Sequence, residues 1–288
     1  MSEVLVQVTD EVAVVTLNRP ERRNAISGSL LAALREALAA LDSRPDVLAI
    51  VLTGADPTFC AGLDLTELGE PHGPLSVAGI GAVFPALTTP VIGAINGPAV
   101  TGGLELALAC DFLVASERAR FADTHARVGV MPGWGLTVAL PEAVGLRRAR
   151  EMSATGNFIS APTALAWGLV NHIVAHGELL GYARELAADV ASADPGAVRE
   201  ILTTYNKGAL VTAGESADRG AGAPALAHRR DRRHASGQPA RRRHRTRPSP
   251  GVSGRHVPAR TRRRRPGRHQ PATAGSDPAI RRRFARKC

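Results

Sequence analysis

The 288-residue sequence has few cysteines: Cys60, Cys110 and Cys288. An odd and sparse set builds no disulfide framework and suits a reducing compartment. No apolar run reaches the ~18 residues that a membrane helix needs. Glu105 and Asp111 interrupt the longest candidate. The opening residues, MSEVLVQVTD, lack the charged start and apolar block of a secretory signal. Together these absences lead to the expectation of a soluble, cytoplasmic protein with no membrane partner.

The formal net charge of +10 averages two unlike stretches. Residues 1–216 carry 14 Lys+Arg against 23 Asp+Glu, as an ordinary globular sequence does, whereas residues 217–288 carry 22 against 3. That second stretch holds PARRRHRTRPSP and ARTRRRRPGRH, with little apolar surface to offset its ordering entropy, so it is expected to be a disordered tail. Two readings of it stand. A basic arm of this density binds nucleic acid through phosphate, non-specifically and with strong salt dependence. Phe284 is its one aromatic residue, which leaves almost nothing for base stacking. Alternatively, an abrupt change to arginine, proline and alanine, with Lys287 the one lysine beside the tracts, suits a shifted reading frame in a GC-rich gene.

Before the tail the patterning is regular. VLVQV (4–8) and VAVVTLN (12–18) read as a hairpin. Ser27 is placed to cap a helix over 28–42 in which Leu30, Leu31, Leu34, Leu38 and Leu41 share one face, with Pro45 beyond its end. VLAIVLTG (47–54) and VIGAI (91–95) are wholly apolar, as strands of a sheet covered on both faces are. Residues 71–81 read as a flexible surface segment. A helix is expected over about 103–110, then a strand FLVAS (112–116), a mostly loop stretch RFADTHARVGVMPGWG, and helices near 136–144, 147–155 and 160–168. LVNHIV (169–174) reads as a strand or edge, and 178–193 and 195–206 as helices. This alternation predicts an α/β fold with both sheet faces buried. The expected organisation is a core over 1–193, the start of a C-terminal helical region over 194–216, and the tail over 217–288.

Two turns match each other. CAGLD (60–64) and TGGLE (101–105) each follow an apolar strand and place Gly, Leu and an acid at a helix start. The first turn of a helix leaves N–H groups unpaired and carries partial positive charge, and glycine lets a ligand atom approach the backbone. Two such ends converging on one point would polarise an acyl carbonyl; ordinary βα turns with acids at the helix starts would look the same.

Five blocks, in order, carry a resemblance: RPERRNAIS, FCAGLDL, PVIGAINGPAVTGGLELALACD, ARFADTHARVGVMPGWG and TGNFISAPTALAWGLVNHIV. From about residue 3 to about residue 213 the chain resembles the enoyl-CoA hydratase/isomerase (crotonase) family. The resemblance implies a spiral of ββα repeats with flanking helices, assembly into homotrimers or hexamers, and an acyl-CoA thioester as substrate. Coenzyme A then enters as part of that substrate, and no separate cofactor or metal is expected. It also implies that the amides of Leu63 and Gly102 hold the thioester oxygen, that Arg22, Arg23 and Ala25 lie near the CoA nucleotide, and that Ala61, Gly62, Asp64 and Gly103 take part in substrate binding. Trp134 is placed either in the acyl pocket or in plain packing.

Glu105 matches the family glutamate that activates water. A buried carboxylate of this kind must be paired or hydrogen-bonded, or its pKa rises. Family hydratases have a second glutamate just after the block matched by FADTH, and here His125 stands in its place. Imidazole is able to donate a proton, and it is equally able to line the site without reacting. Asp123 reads first as a loop acid, with orientation of the ring, or service as the acid itself, also open. Cys60 has no histidine near it in sequence to make it a nucleophile and reads as a small buried residue. His172 and His176 are not expected to hold a metal. The leading expectation is an enoyl-CoA hydratase. An enoyl-CoA isomerase, a CoA-thioester-binding protein with little catalysis, and nucleic-acid binding through the tail remain the alternatives.

Overall fold

A computed structural model describes residues 2–68 and 83–206. The surface segment 71–81 and the basic tail 217–288 lie outside the described residues.

The chain opens with an antiparallel hairpin of β1 (Val4–Thr9) and β2 (Val12–Leu17), in which Thr9 faces Val12. Its two-residue bend puts Asp10 and Glu11 at positive φ, the mirror-image turn whose twist matches that of the strands. After α1 (Gly28–Asp42) come β3 (Ala49–Gly54), the short α2 (Leu65–Leu68) and β4 (Val91–Ile95). Then follow β5 (Pro98–Val100), α3 (Gly102–Leu108), β6 (Phe112–Ser116), β7 (Arg120–Ala122) and α4 (His125–Val128). The chain continues through α5 (Leu136–Val144), α6 (Leu146–Thr155), β8 (Ile159–Ser160), α7 (Ala161–Trp167), β9 (His172–Val174) and α8 (Leu179–Ala191). Residues 195–206 are helical.

The main sheet has six strands in the order β1-β2-β3-β4-β6-β9, parallel from β2 onward. Its side chains alternate as a pleat requires. Val12, Val14, Ala49, Val51, Ile92, Ala94 and Val114 pack with Leu179, Ala183 and Ala187 of α8. The intervening Ala13, Val15, Leu17, Ile50, Leu52 and Ile95 face the larger core that holds the α1 leucines. Leu30, Leu31, Leu34, Leu38 and Leu41 are all buried, and the Ser27 hydroxyl accepts from Leu30 N as the cap. The expected α/β layering and most element positions are therefore present.

The differences fall in the stretches read as loops. NGPAVTGG contains β5, and RFADTHARVGVMPGWG contains β7 and α4. These pieces of three or four residues are too short to show a period, and a second sheet, β5-β7-β8, makes them regular through pairing distant in sequence. Of LVNHIV only His172–Val174 is strand; Leu169 and Val170 are buried ahead of it.

The loop after β2 is tied from within. Asn24 is fully buried; its side-chain amide donates to Ala55 O (2.8 Å) and Thr58 O (2.6 Å), and its carbonyl oxygen accepts from Arg19 N (2.9 Å). Its φ of 53° is one that Asn tolerates better than residues without a short polar side chain. Asn24→Ala would strand these backbone groups and put alanine at that φ. The expected loss is about 3 kcal/mol of unfolding free energy, read from urea denaturation.

Candidate active site

The two glycine-marked bends meet because the chains leading into them pair in register. Cys60 bridges Ala99 in parallel, with Cys60 N donating to Pro98 O (3.1 Å) and Val100 N to Cys60 O (3.0 Å). Three residues beyond each partner stand Leu63 and Gly102. A Cβ built on Gly102 would lie 3.5 Å from Leu63 N, and one built on Gly62 would lie 3.4 Å from Gly102 N. Among the described residues neither amide donates to a protein acceptor.

The backbone of each bend is special. Gly62 has φ +98°, a value that glycine adopts at no steric cost. Thr101, just before Gly102, sits at φ 55° and ψ −114°, an outlier for a β-branched residue. It is held there by its amide on Ala122 O (2.9 Å) and by its hydroxyl on that of Thr124. Strain maintained in this way marks sites where geometry is imposed by the surroundings.

Glu105 lies in the first turn of α3 and is 3% exposed. Its Oε1 accepts from Trp134 N (2.8 Å) and Leu136 N (3.4 Å), and its Oε2 stands 3.5 Å from His125 Nε2. The requirement that a buried carboxylate be satisfied is met by backbone amides and one imidazole. His125, also 3% exposed, donates from Nδ1 to Asp123 Oδ1 at 2.6 Å. Burial alone pushes the imidazole pKa down. Hydrogen bonds to Asp123 and Glu105, with the charges of both, outweigh it and raise the value to about 9. His125 is therefore an imidazolium at neutral pH.

The remaining expected residues sort around this centre. Arg22 and Arg23 are exposed beside the first bend, and Arg23 O accepts from Ala61 N. Ala25 O accepts from Arg19 Nη1 (2.7 Å). Asp64 is bonded within the chain: Oδ1 accepts from the Thr66 hydroxyl (2.7 Å), and Oδ2 pairs with Arg19 (3.3 Å). Gly103 is a packing glycine, since a Cβ there would fall 2.2 Å from Cys60 O. Trp134 contributes its amide to Glu105 and its ring to the cover of Gly102, where a Cβ would meet Trp134 Cζ3 at 3.2 Å. The sequence singled out this tryptophan for its side chain, whereas an amide leaves no mark in a sequence. Cys60 is fully buried, and burial pushes its thiol up to about 12, so it is no nucleophile. His176 lies between Ser116 and Asp56, and His172 packs edge-on against Tyr182. Among the described residues no cluster suits a metal ion, and none of their helices is long and apolar enough to cross a membrane.

Residues 7–218 match the family model described as enoyl-CoA hydratase/isomerase. The chain belongs to the enoyl-CoA hydratase/isomerase (crotonase) family. It is 40% identical over 224 residues to the probable peroxisomal enoyl-CoA hydratase 1 of Arabidopsis thaliana, covering 75% of this chain and 84% of that protein. It is 36% identical over 216 residues to the short-chain-enoyl-CoA hydratase of Clostridium acetobutylicum, covering 72% and 82%. Among solved structures it is similar to the enoyl-CoA hydratase of Mycobacterium smegmatis, at 50% identity and a TM-score of 0.69, covering 75% and 93%. The enoyl-CoA hydratase of Mycobacterium tuberculosis H37Rv shares 52% identity at a TM-score of 0.66, covering 71% and 89%. The fold is the crotonase fold, and the chain is an enzyme of the acyl-CoA class that its relatives represent.

The two adjacent glycines are expected to answer substitution differently. Gly103→Ala would drive its methyl group into Cys60 O and is expected to lower the melting temperature by roughly 6–12 °C, on the order of 3 kcal/mol. Gly102→Ala has its one tight contact with the movable Trp134 ring and is expected to stay within about 1 kcal/mol of the parent, measured by the same thermal unfolding.

Proposed function

We propose that the chain hydrates the 2,3 double bond of a trans-2-enoyl-CoA. The observation that carries this reading is the Glu105–His125 pair, a buried carboxylate and imidazolium 3.5 Å apart beside two converging amides. That 3.5 Å contact is long for a hydrogen bond, so Oε2 and Nε2–H are both able to engage a water as well.

In this mechanism the thioester oxygen accepts from Leu63 N and Gly102 N, so the charge that develops on it meets fixed dipoles. Glu105 takes a proton from water as the water oxygen bonds to C3. The C2–C3 π electrons move onto the thioester as an enolate, and His125 then protonates C2. The products are a 3-hydroxyacyl-CoA, a neutral His125 and a protonated Glu105. A proton passing from Glu105 to His125 restores both groups for the next turnover. The exposed Arg22 and Arg23 are suited to the phosphates of the CoA portion.

Removal of one acid–base group commonly costs ~10²–10⁴-fold in rate. Glu105→Gln is expected to lower kcat for crotonyl-CoA hydration by that amount with little change in KM, and unaltered turnover would end this reading. Because His125 is the acid only while protonated, kcat/KM is expected to hold up to about pH 9 and to fall above it. His125→Gln should be slower and should lose that limb; a parent profile without it would remove His125 from the step.

A further inference from the structure

His125 is gripped in a way that proton donation to C2 does not itself require. One oxygen, Asp123 Oδ1, accepts both the ring Nδ1–H at 2.6 Å and the His125 amide at 3.2 Å. The main chain and the ring of residue 125 are thus fixed to a single point. Asp123 is 1% exposed and follows β7, the middle strand of the small sheet. Burial alone pushes its carboxyl up. Hydrogen bonds from the His125 ring, the Ser153 hydroxyl on α6 and the His125 amide outweigh that, so it lies below the ordinary carboxylate range and stays ionised.

The charged groups that face the ring are Asp123 and, from α3, Glu105. The Thr124 hydroxyl turns to Thr101. The Arg127 guanidinium is engaged by Thr155 O and Asn157, away from the ring. Among the described residues no Lys or Arg pairs with either carboxylate at the imidazole.

We propose that Asp123 is a positioning residue that fixes His125 with Nδ1 as a permanent donor and Nε2 directed at Glu105, so that Nε2 carries the proton delivered to C2. This rests on the hydratase reading above. The alternative is that Asp123 only caps the start of α4, to which its bond with the His125 amide would be confined. The two roles separate because the ring bond and the ionic charge act on the protonation of His125, whereas a cap does not. An ionised neighbour favours the imidazolium, and an asparagine in its place keeps an acceptor for Nδ1–H but drops the charge.

The test combines nitrogen-15 NMR of labelled histidine in the substrate-free full chain, with the His125 signals assigned by their loss in His125→Gln, and pH–rate profiles. In the parent, Nδ1 is expected to stay protonated throughout, and Nε2 to lose its proton near pH 9. In Asp123→Asn that titration is expected to fall toward the ordinary imidazole value of about 6.5. The basic limb of kcat/KM should follow it, giving a deficit of ten-fold or more at pH 8 that shrinks at pH 6, with KM for crotonyl-CoA little changed. A parent His125 that titrates near 6.5 overturns the proposal, and that measurement needs no variant to fold. A variant equally impaired at pH 6 and pH 8, with its ring titration unmoved, overturns it in favour of a cap. Failure of the parent to hydrate crotonyl-CoA would count against the hydratase reading, while the NMR titration would still decide the role of Asp123.

Discussion

The site depends on one short stretch of parallel pairing, the Cys60–Ala99 bridge. Two backbone hydrogen bonds, Cys60 N to Pro98 O and Val100 N to Cys60 O, set the register between the chains that enter the two bends. A slip of one residue would turn every following side chain to the opposite face and carry Leu63 away from Gly102. The surrounding structure guards that register. On one side Ile26 bridges Leu63, with Ile26 N on Gly62 O and Asp64 N on Ile26 O. On the other side β5 pairs with β7. The buried Asn24 then locks the loop that carries Ile26 to the turn after β3.

The same pairing explains why two neighbouring glycines have different work. Gly103 packs against Cys60 O, so its missing Cβ permits the chains to approach. Gly102 faces the space beside Leu63 N, so its missing Cβ leaves that space open. Sequence shows both as glycine at a helix start. Their distinction exists only once the other chain is in place.

How much could be read beforehand follows from the same physics. The β1–β2 hairpin, α1 with its leucine face, and the apolar β3 and β4 declare themselves because each buries a periodic face along its own length. β5 and β7 do not, being three residues long and made regular by partners elsewhere. Within the site, the glycines, Glu105 and the substitution at residue 125 were legible, the last through the family resemblance. The pairing of Asp64 with Arg19 was not, since the partner lies 45 residues away in the sequence. The amides of Trp134 and Leu136 that hold Glu105 were equally hidden, because the backbone is the same at every residue.

The substitution at residue 125 changes the charge balance of the cavity. Two carboxylates facing each other in a buried site repel, and the pKa of one of them is raised. A carboxylate facing an imidazole instead favours the charged form of the ring. The pair has its own pH window. The raised pKa of His125 favours the folded state fully below the unfolded value of about 6.5, and this contribution is lost as pH rises through about 9. The depressed pKa of Asp123 favours folding above its unfolded value, and this contribution is lost as pH falls through its folded one. Between these limits Asp123 and His125 are both charged, and both contributions favour the folded state. The protonation of His125 and the stability of the fold are thus tied together by the same hydrogen bonds, held where β7, α3 and α6 pack.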